Sequence, residues 1–380
     1  MEELILNACF LCGNQFQIVN CVNFVMGQEE YCFDKVDIYI WDSMRTADFT
    51  IEALRKEKIF DRIFRYNYKD WEKGFLSRMG ARIDFLMSPG RFLKRVVMVD
   101  EDNPHEWRYS HIFLFGPDYI TQSMIRVNPD ARISFLDDGM ASYVGKIGIS
   151  GSSRDKKLIW RLVGKDFWHI YPHCLYVNNV SMCHTEWDVP VKPLPSLTRN
   201  EGLIDVMHRI FGRPMTEYDT IRTVILAQPY ESEALLEDEE IKCCKAEGIE
   251  FILRPHPRQK LSDINVEVID DSGALWELIC AEKINDDYVL IGKCSTAQIS
   301  PKLLYDKEPY VVFTYRLYDY ISEEMRKYPH EMYLNIRDAY RNPEKVIEVE
   351  NPQELRDVLN RLCEVEGIER MNSQRYEAPL

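Results

Sequence analysis

Short apolar runs alternate with segments of helical periodicity along most of this chain. In the first half, "LILNACFL" reads as a strand. "GNQFQIVNCVNFVMG" reads as a helix with Phe16, Val19, Val22 and Val25 at helical spacing, and "VDIYIWDS" as a strand again. "RFLKRVVMVDED" and "HIFLFG" read as further strands, "PDYITQSMIRVNPD" as a helix, and "RISFLDDG" as a strand that ends in a turn. Short strands separated by helices are the signature of a parallel sheet covered by helices, so the pattern predicts an α/β fold.

The rhythm breaks between about residues 144 and 200, where Gly, Ser, aromatic and basic residues accumulate and "VPVKPLPSLTRNEG" reads as a linker. It then restarts: "IRTVILAQP", "IEFILRPHP", "DYVLIGKCS" and "EPYVVFTY" read as strands, with helices in "EDEEIKCCKAEG", "GALWELICAEKI" and "TAQISPKLLYD". A length of 380 residues suits two domains, each with its own core. We therefore expect an N-terminal Rossmann-like domain over 1–200, carrying the excursion and linker, and a second over 201–380. Two such domains imply a central cleft lined by loops at the carboxyl ends of the strands.

Charge narrows the partners. Lys+Arg 47 against Asp+Glu 62 gives a net −15, which argues against nucleic acid, and an anionic substrate would need a local basic pocket. The N-terminus lacks a basic region before a short apolar run, and no uninterrupted apolar stretch approaches the ~18 residues of a membrane span. The chain thus reads as cytoplasmic. Most of its eleven cysteines lie in apolar runs and read as small core residues. "CFLC" is a lone CxxC without a second ligand pair, so no metal site is expected. No Walker motif and no G-x-G-x-x-G is present, which disfavours ATPases and NAD dehydrogenases.

Three polar clusters follow apolar strands, where open α/β sheets bind ligands. The first is "FLDDG", with Asp137, Asp138 and Gly139; it suits a turn, or a carboxylate that orients or deprotonates a hydroxyl. The second is "RPHPR". Pro255 and Pro257 stiffen the chain around His256, and Arg254 and Arg258 favour phosphate or carboxylate, an arrangement suited to a general acid on a departing phosphate. The third is "KCSTAQ", where Ser295 and Thr296 precede a helix whose N-terminal amides suit an anion. Lys293 adds a charge beside them.

In order, these clusters resemble the three short motifs of bacterial sialyltransferases, most closely glycosyltransferase family 52, the lipooligosaccharide and capsule sialyltransferases. The resemblance also takes in the helix with Gln17 near its start, "NPDARISFLDDG", and "VILAQP" ahead of "RPHPRQ". It implies a GT-B fold, CMP-sialic acid as donor substrate without a metal or other cofactor, and inverting transfer to a terminal galactose. It further implies that His256 is the acid on the CMP phosphate, that Ser295 and Thr296 bind that phosphate, and that Gln17 and Gly139 lie among the donor contacts with Arg254, Pro257 and Arg258. The base stays open: the expected Asp after "AQP" is absent, so either Glu231 substitutes or Asp138 takes the role. Inverting transfer needs one base and one acid, and hydroxyls and an imidazole suffice for a single phosphate. A GT-B enzyme using another donor such as a UDP-hexose, or a non-catalytic polysaccharide-assembly partner of the same fold, are the competing readings. The acceptor would be a galactose-ended capsule or lipid-linked glycan at the inner membrane face, met by the segment around Trp160, Arg161, Lys165 and Trp168. A homodimer, and peripheral association of the cytoplasmic chain with the inner membrane face, are compatible with the resemblance.

Overall fold

A computed structural model of the chain describes residues 6–42, 47–68, 75–98, 107–145, 170, 172–185, 189–197, 201–227, 238–256, 266–319, 321 and 323–366. It divides into two compact units, Met1–Ile210 and Phe211–Leu380, each built on its own sheet. The division falls beyond the expected boundary at 200. The helix Glu201–Phe211 goes with the first unit: it buries Leu203, Met207 and Ile210, and its Arg209 donates to Glu57 at 2.7 and 2.9 Å.

The first domain contains β1 (Asn7–Cys12), β2 (Lys35–Trp41), β3 (Arg62–Tyr66), β4 (Val97–Met98), β5 (His111–Leu114), β6 (Arg132–Leu136), β7 (Val144–Gly145), β8 (Cys174–Val177), β9 (His184–Thr185) and β10 (Val191–Pro193). Its main sheet runs β10-β8-β6-β5-β1-β2-β3-β4, parallel throughout except where the short β4 turns back on β3; β7 and β9 pair separately. Helices α1 (Gln15–Gly27), α2 (Ala47–Glu57), α3 (Phe75–Met87), α4 (Pro89–Val96) and α5 (Tyr119–Val127) connect the strands. The chain winds outward from β1 to β3, then crosses back and winds the other way from β5. Its topological switch point therefore lies between β1 and β5. Phe10 of β1 stacks on Phe113 of β5 with centroids 4.6 Å apart, and Phe24 of α1 closes over Phe113 at 4.8 Å.

Two parts of this domain depart from the sequence reading. Among the described residues of "RFLKRVVMVDED", 91–96 are helix rather than strand. Pro89 opens α4, and Phe92, Leu93 and Val96 recur at helical spacing against the core, with Val97–Met98 extended after them. The stretch expected to be a linker supplies the edge strand β10. Pro190 lends its carbonyl to Leu175 N at 2.9 Å, while Leu194 and Leu197 are buried, a placement that prolines tolerate only at an edge.

The second domain is a parallel sheet in the order β12-β11-β13-β14-β15, from β11 (Thr223–Leu226), β12 (Ile252–Arg254), β13 (Val289–Gly292), β14 (Tyr310–Phe313) and β15 (Val346–Glu348). Ile269 bridges in parallel to Leu253 on the outer side of β12. Side chains alternate between two cores. Ile225, Leu253 and Ile291 pack on one face with the helices Glu239–Ala246 and Pro352–Glu366; Val224, Leu226, Ile252 and Leu290 pack on the other with the helix Trp276–Glu282. The molecule is thus α/β with two doubly wound, Rossmann-like domains. Among the described residues no helix is long and apolar enough to cross a membrane.

Candidate functional site

In the first domain the acidic pair follows β6 and divides its work. Asp137 is fully buried, and its carboxylate accepts from Gly139 N (2.8 Å), Asn178 N (3.0 Å), Asn178 Nδ2 (2.9 Å) and the Tyr143 hydroxyl. Its carbonyl accepts from Asn20 Nδ2 of α1 at 2.8 Å. Burial pushes the Asp137 carboxyl up, against the pull of these donors. Three of these donors meet Oδ2 and one meets Oδ1, so with full burial Asp137 anchors the loop and has little left for a substrate. Gly139 sits at φ +76°, a conformation glycine adopts without steric cost, and this lets the chain turn over Asp137.

Asp138 is half-buried and receives fewer donors. Its Oδ1 accepts from Gln17 Nε2 at 2.7 Å, and its own amide donates to Ser142 Oγ at 2.8 Å. Gln17 is itself oriented: its Oε1 accepts from Gly13 N, and its backbone N–H donates to Oδ1 of Asn14, the N-cap of α1, at 2.9 Å. Burial raises the Asp138 carboxyl to about 6; Gln17 and Asn14 hold it down, and the Asp137 charge adds to the rise. The result is a partly accessible carboxyl at a strand's carboxyl end, titrating near neutral, the state a general base needs. Gln17, expected among the donor contacts, is the residue that orients this carboxyl.

In the second domain His256 stands half-buried two residues past β12. Arg254 closes that strand, and its guanidinium donates to Asp270 Oδ2 and to the Ala274 carbonyl. Asp270 also takes the Tyr218 hydroxyl at 2.7 Å and Ser272 Oγ at 2.6 Å. Burial raises the Asp270 carboxyl, but Arg254, Ser272 and Tyr218 outweigh it and hold the group below its ordinary value. Arg254 thus fastens the 270–274 turn to β12.

Ser295 caps the helix Thr296–Tyr305. Its Oγ accepts from Ala297 N at 3.2 Å, and its amide donates to Gln298 Oε1 at 2.9 Å, a reciprocal capping box. Gln298 Nε2 also donates to the carbonyls of Gly292 and Val312, both at 3.1 Å, which ties the helix start to the ends of β13 and β14. Capping uses an oxygen lone pair of Ser295 and leaves its hydroxyl proton for an anion. Thr296 holds the first helical position beside it. His256 and Ser295 follow β12 and β13, which flank β11, so their strands lie about 10 Å apart at ~4.8 Å per strand. Glu231, Pro257 and Arg258, like Trp160, Arg161, Lys165 and Trp168, lie outside the described residues.

No protein-family model matches the sequence, and no curated protein matches it. Solved structures similar to this chain include UDP-GlcNAc 2-epimerase from Neisseria meningitidis bound to UDP-GlcNAc, at 11% identity and a TM-score of 0.47 over 96% of this chain and 93% of that one. UGT2 of Phytolacca americana, complexed with UDP-2-fluoro-glucose and pterostilbene, is 9% identical with a TM-score of 0.49 over 98% and 92%. The glycotransferase of kitacinnamycin is 8% identical with a TM-score of 0.46 over 96% and 92%. Likenesses this distant assign no activity.

Further polar groups lie at the carboxyl edge of the second sheet, and the sequence reading named Lys293 alone among them. Lys293, read as an added charge, is buried. Its Nζ lies 2.6 Å from Asp238 Oδ1 and 4.2 Å from the centre of the Tyr318 ring. Glu240 is buried alongside and accepts from the hydroxyls of Thr314 and Tyr318; burial raises its carboxyl, against the pull of Lys293. Glu348, which ends β15, pairs with Arg316 at 3.0 Å and contacts His330 Nδ1 at 3.1 Å. A lysine directly after an apolar strand was the available signal for the first group, but its partner lies 55 positions earlier. The cysteines of "CFLC" are both buried in β1, where burial and the Asp37 charge push the Cys9 thiol well up. Among the described residues no group of three or more His, Cys, Asp or Glu could hold a metal ion.

Proposed function

We propose that the protein is a GT-B type inverting glycosyltransferase that moves sialic acid from CMP-sialic acid to a terminal galactoside of a capsule or lipooligosaccharide glycan. The observation that carries this reading is Asp138. A carboxyl raised to about 6 and oriented by Gln17 at a strand's carboxyl end is suited to take the proton of an acceptor hydroxyl. That oxygen would form the new bond to the anomeric carbon as the bond from that carbon to the phosphate oxygen breaks. His256 would give a proton to the departing CMP phosphate, and the Ser295 hydroxyl, the Thr296 hydroxyl and the first amides of the helix Thr296–Tyr305 would carry its charge. Asp138 is the preferred base over Glu231 because its environment already sets it near neutral. The sequence motifs support the donor.

A product-mass assay with a β-galactoside acceptor tests this. CMP-sialic acid should add one sialyl mass, UDP-glucose should add nothing, and Asp138→Asn should slow product formation by about 10²-fold or more. Transfer from UDP-glucose instead would replace the donor, and undiminished transfer by Asp138→Asn would remove the base.

A further inference from the structure

The sequence from 77 to 98 holds five basic residues and a single acid, Asp84, in a chain of net charge −15. The structure places that acid inward. Asp84 is buried beneath Arg91 and Arg95, at 3.8 and 3.2 Å, while Ala81 and Phe85 of α3 and Phe92, Leu93 and Val96 of α4 face the core. What remains outside is uniform: every exposed residue between 77 and 98 is either Arg, Lys, Met or Ile. Met79, Ile83 and Met87 recur every four residues along α3, exposed by 43%, 53% and 81%, and Met98 follows α4 at 39%. Apolar residues this exposed are ordinary when scattered, but Met79, Ile83 and Met87 at four-residue spacing make a stripe along α3. Arg78 and Arg82 line one side of it on α3. Arg95 crosses from α4 toward Ser77, with its NH1 3.5 Å from that carbonyl, which brings the basic face of α4 against the start of α3. Arg126 of α5 donates to the carbonyls of Phe85 and Leu86 and so secures the last turn of α3.

We propose that the α3–α4 hairpin is a docking surface for an anionic membrane, with Met79, Ile83 and Met87 entering the headgroup boundary and Arg78, Arg82 and Lys94 facing acidic lipids. Charge decides the occupant. A second copy of this face would set five basic groups against five, which opposes a two-fold self-contact. A bilayer surface offers negative charge and an apolar layer at the depth that flexible methionines and a helical stripe reach. The sequence turns acidic again at Asp100, Glu101 and Asp102, so attraction is confined to the hairpin and must act at short range against the net charge of the chain. This surface is independent of the sugar-transfer reading, because lipid binding is measured without donor or acceptor.

The test is co-sedimentation of the full chain with phosphatidylcholine vesicles, with and without phosphatidylglycerol. The wild type should bind only the anionic vesicles, and added salt should release it. The double variants Arg78→Glu/Arg82→Glu and Ile83→Ser/Met87→Ser should each lower the partition on the order of tenfold or more while melting like the wild type. Arg161→Glu/Lys165→Glu should leave binding in place. Equal binding to neutral vesicles, unchanged binding after charge reversal at Arg78 and Arg82, or loss confined to the Arg161/Lys165 variant would each overturn the proposal. So would a concentration-dependent dimer that Ile83→Ser/Met87→Ser abolishes, since the stripe would then belong to a protein contact.

Discussion

Asp138→Asn should make the protein more stable and less active at the same time. The substitution keeps an oxygen for Gln17 Nε2 and removes the ionisation. Raising a carboxyl from its ordinary 3.8 to about 6 disfavours the ionised fold by about 3 kcal/mol at neutral pH, at 1.36 kcal/mol per pKa unit. The sign follows from proton binding. The folded value lies above the unfolded one, so between about 4 and about 6 the folded protein binds more protons, and wild-type stability falls as pH rises through that window. The variant lacks this loss. Urea unfolding of the two proteins at pH 4 and pH 7 should therefore give similar midpoints in acid and a variant stabilised by about 2–3 kcal/mol at pH 7. At pH 7 its sugar transfer should be about 10²- to 10⁴-fold slower. A variant no more stable at pH 7 than the wild type would mean that the carboxyl carries no burial penalty. A variant that is more stable but fully active would mean that Asp138 is strained for some purpose other than proton transfer.

The remaining expectations separate holding roles from binding roles. Wild-type kcat/KM should rise with pH through about 6 as Asp138 ionises, and a pH-rate profile reads this directly. Ser295→Ala should cost about 1 kcal/mol of stability through loss of the helix cap as well as weakening CMP, whereas Thr296→Ala should weaken CMP alone; melting and calorimetric titration distinguish them. Arg254→Ala should cost about 3–5 kcal/mol, because it leaves the side chain of Asp270, which has no solvent exposure, without its cation. Adding Asp270→Asn should recover most of that loss, and failure to recover it would move Arg254 from fastening the turn to touching the donor. His256→Gln should lower kcat by about 10²-fold or more with CMP affinity retained.

The sequence disclosed the repeating frame because buried parallel strands must be continuously apolar: "VILA", "YVLIG" and "YVVF" could hardly be anything else. It misjudged "RFLKRVVM", where a short helix and a buried strand share the same adjacent apolar pairs, and Pro89 was the discriminating signal. It took the prolines around Val191 for a linker because an edge position becomes visible only once neighbouring strands are placed. The site was legible as strand ends but not as contacts. Asp137 and Asp138 are adjacent and chemically identical in the sequence, yet one is filled by donors from Tyr143 and Asn178 and the other is held by a glutamine 121 residues earlier. Lys293 likewise reads as a surface charge until its buried partner is known.

Asp137 also bears on how the protein is made. Its partners Asn20 and Asn178 lie 117 residues before it and 41 after it. Chains fold as domains while they leave the ribosome amino end first. The loop that presents Asp138 therefore cannot lock when it is synthesised; it must wait until β8 has emerged and brought Asn178 alongside. A nascent or truncated chain ending before residue 178 would carry every atom of the acidic motif and still lack the Asn178 donors that hold Asp137. The acidic loop of the first domain would thus lock as a late event of biosynthesis, once β8 has emerged to pair with β6 and bring Asn178 to Asp137.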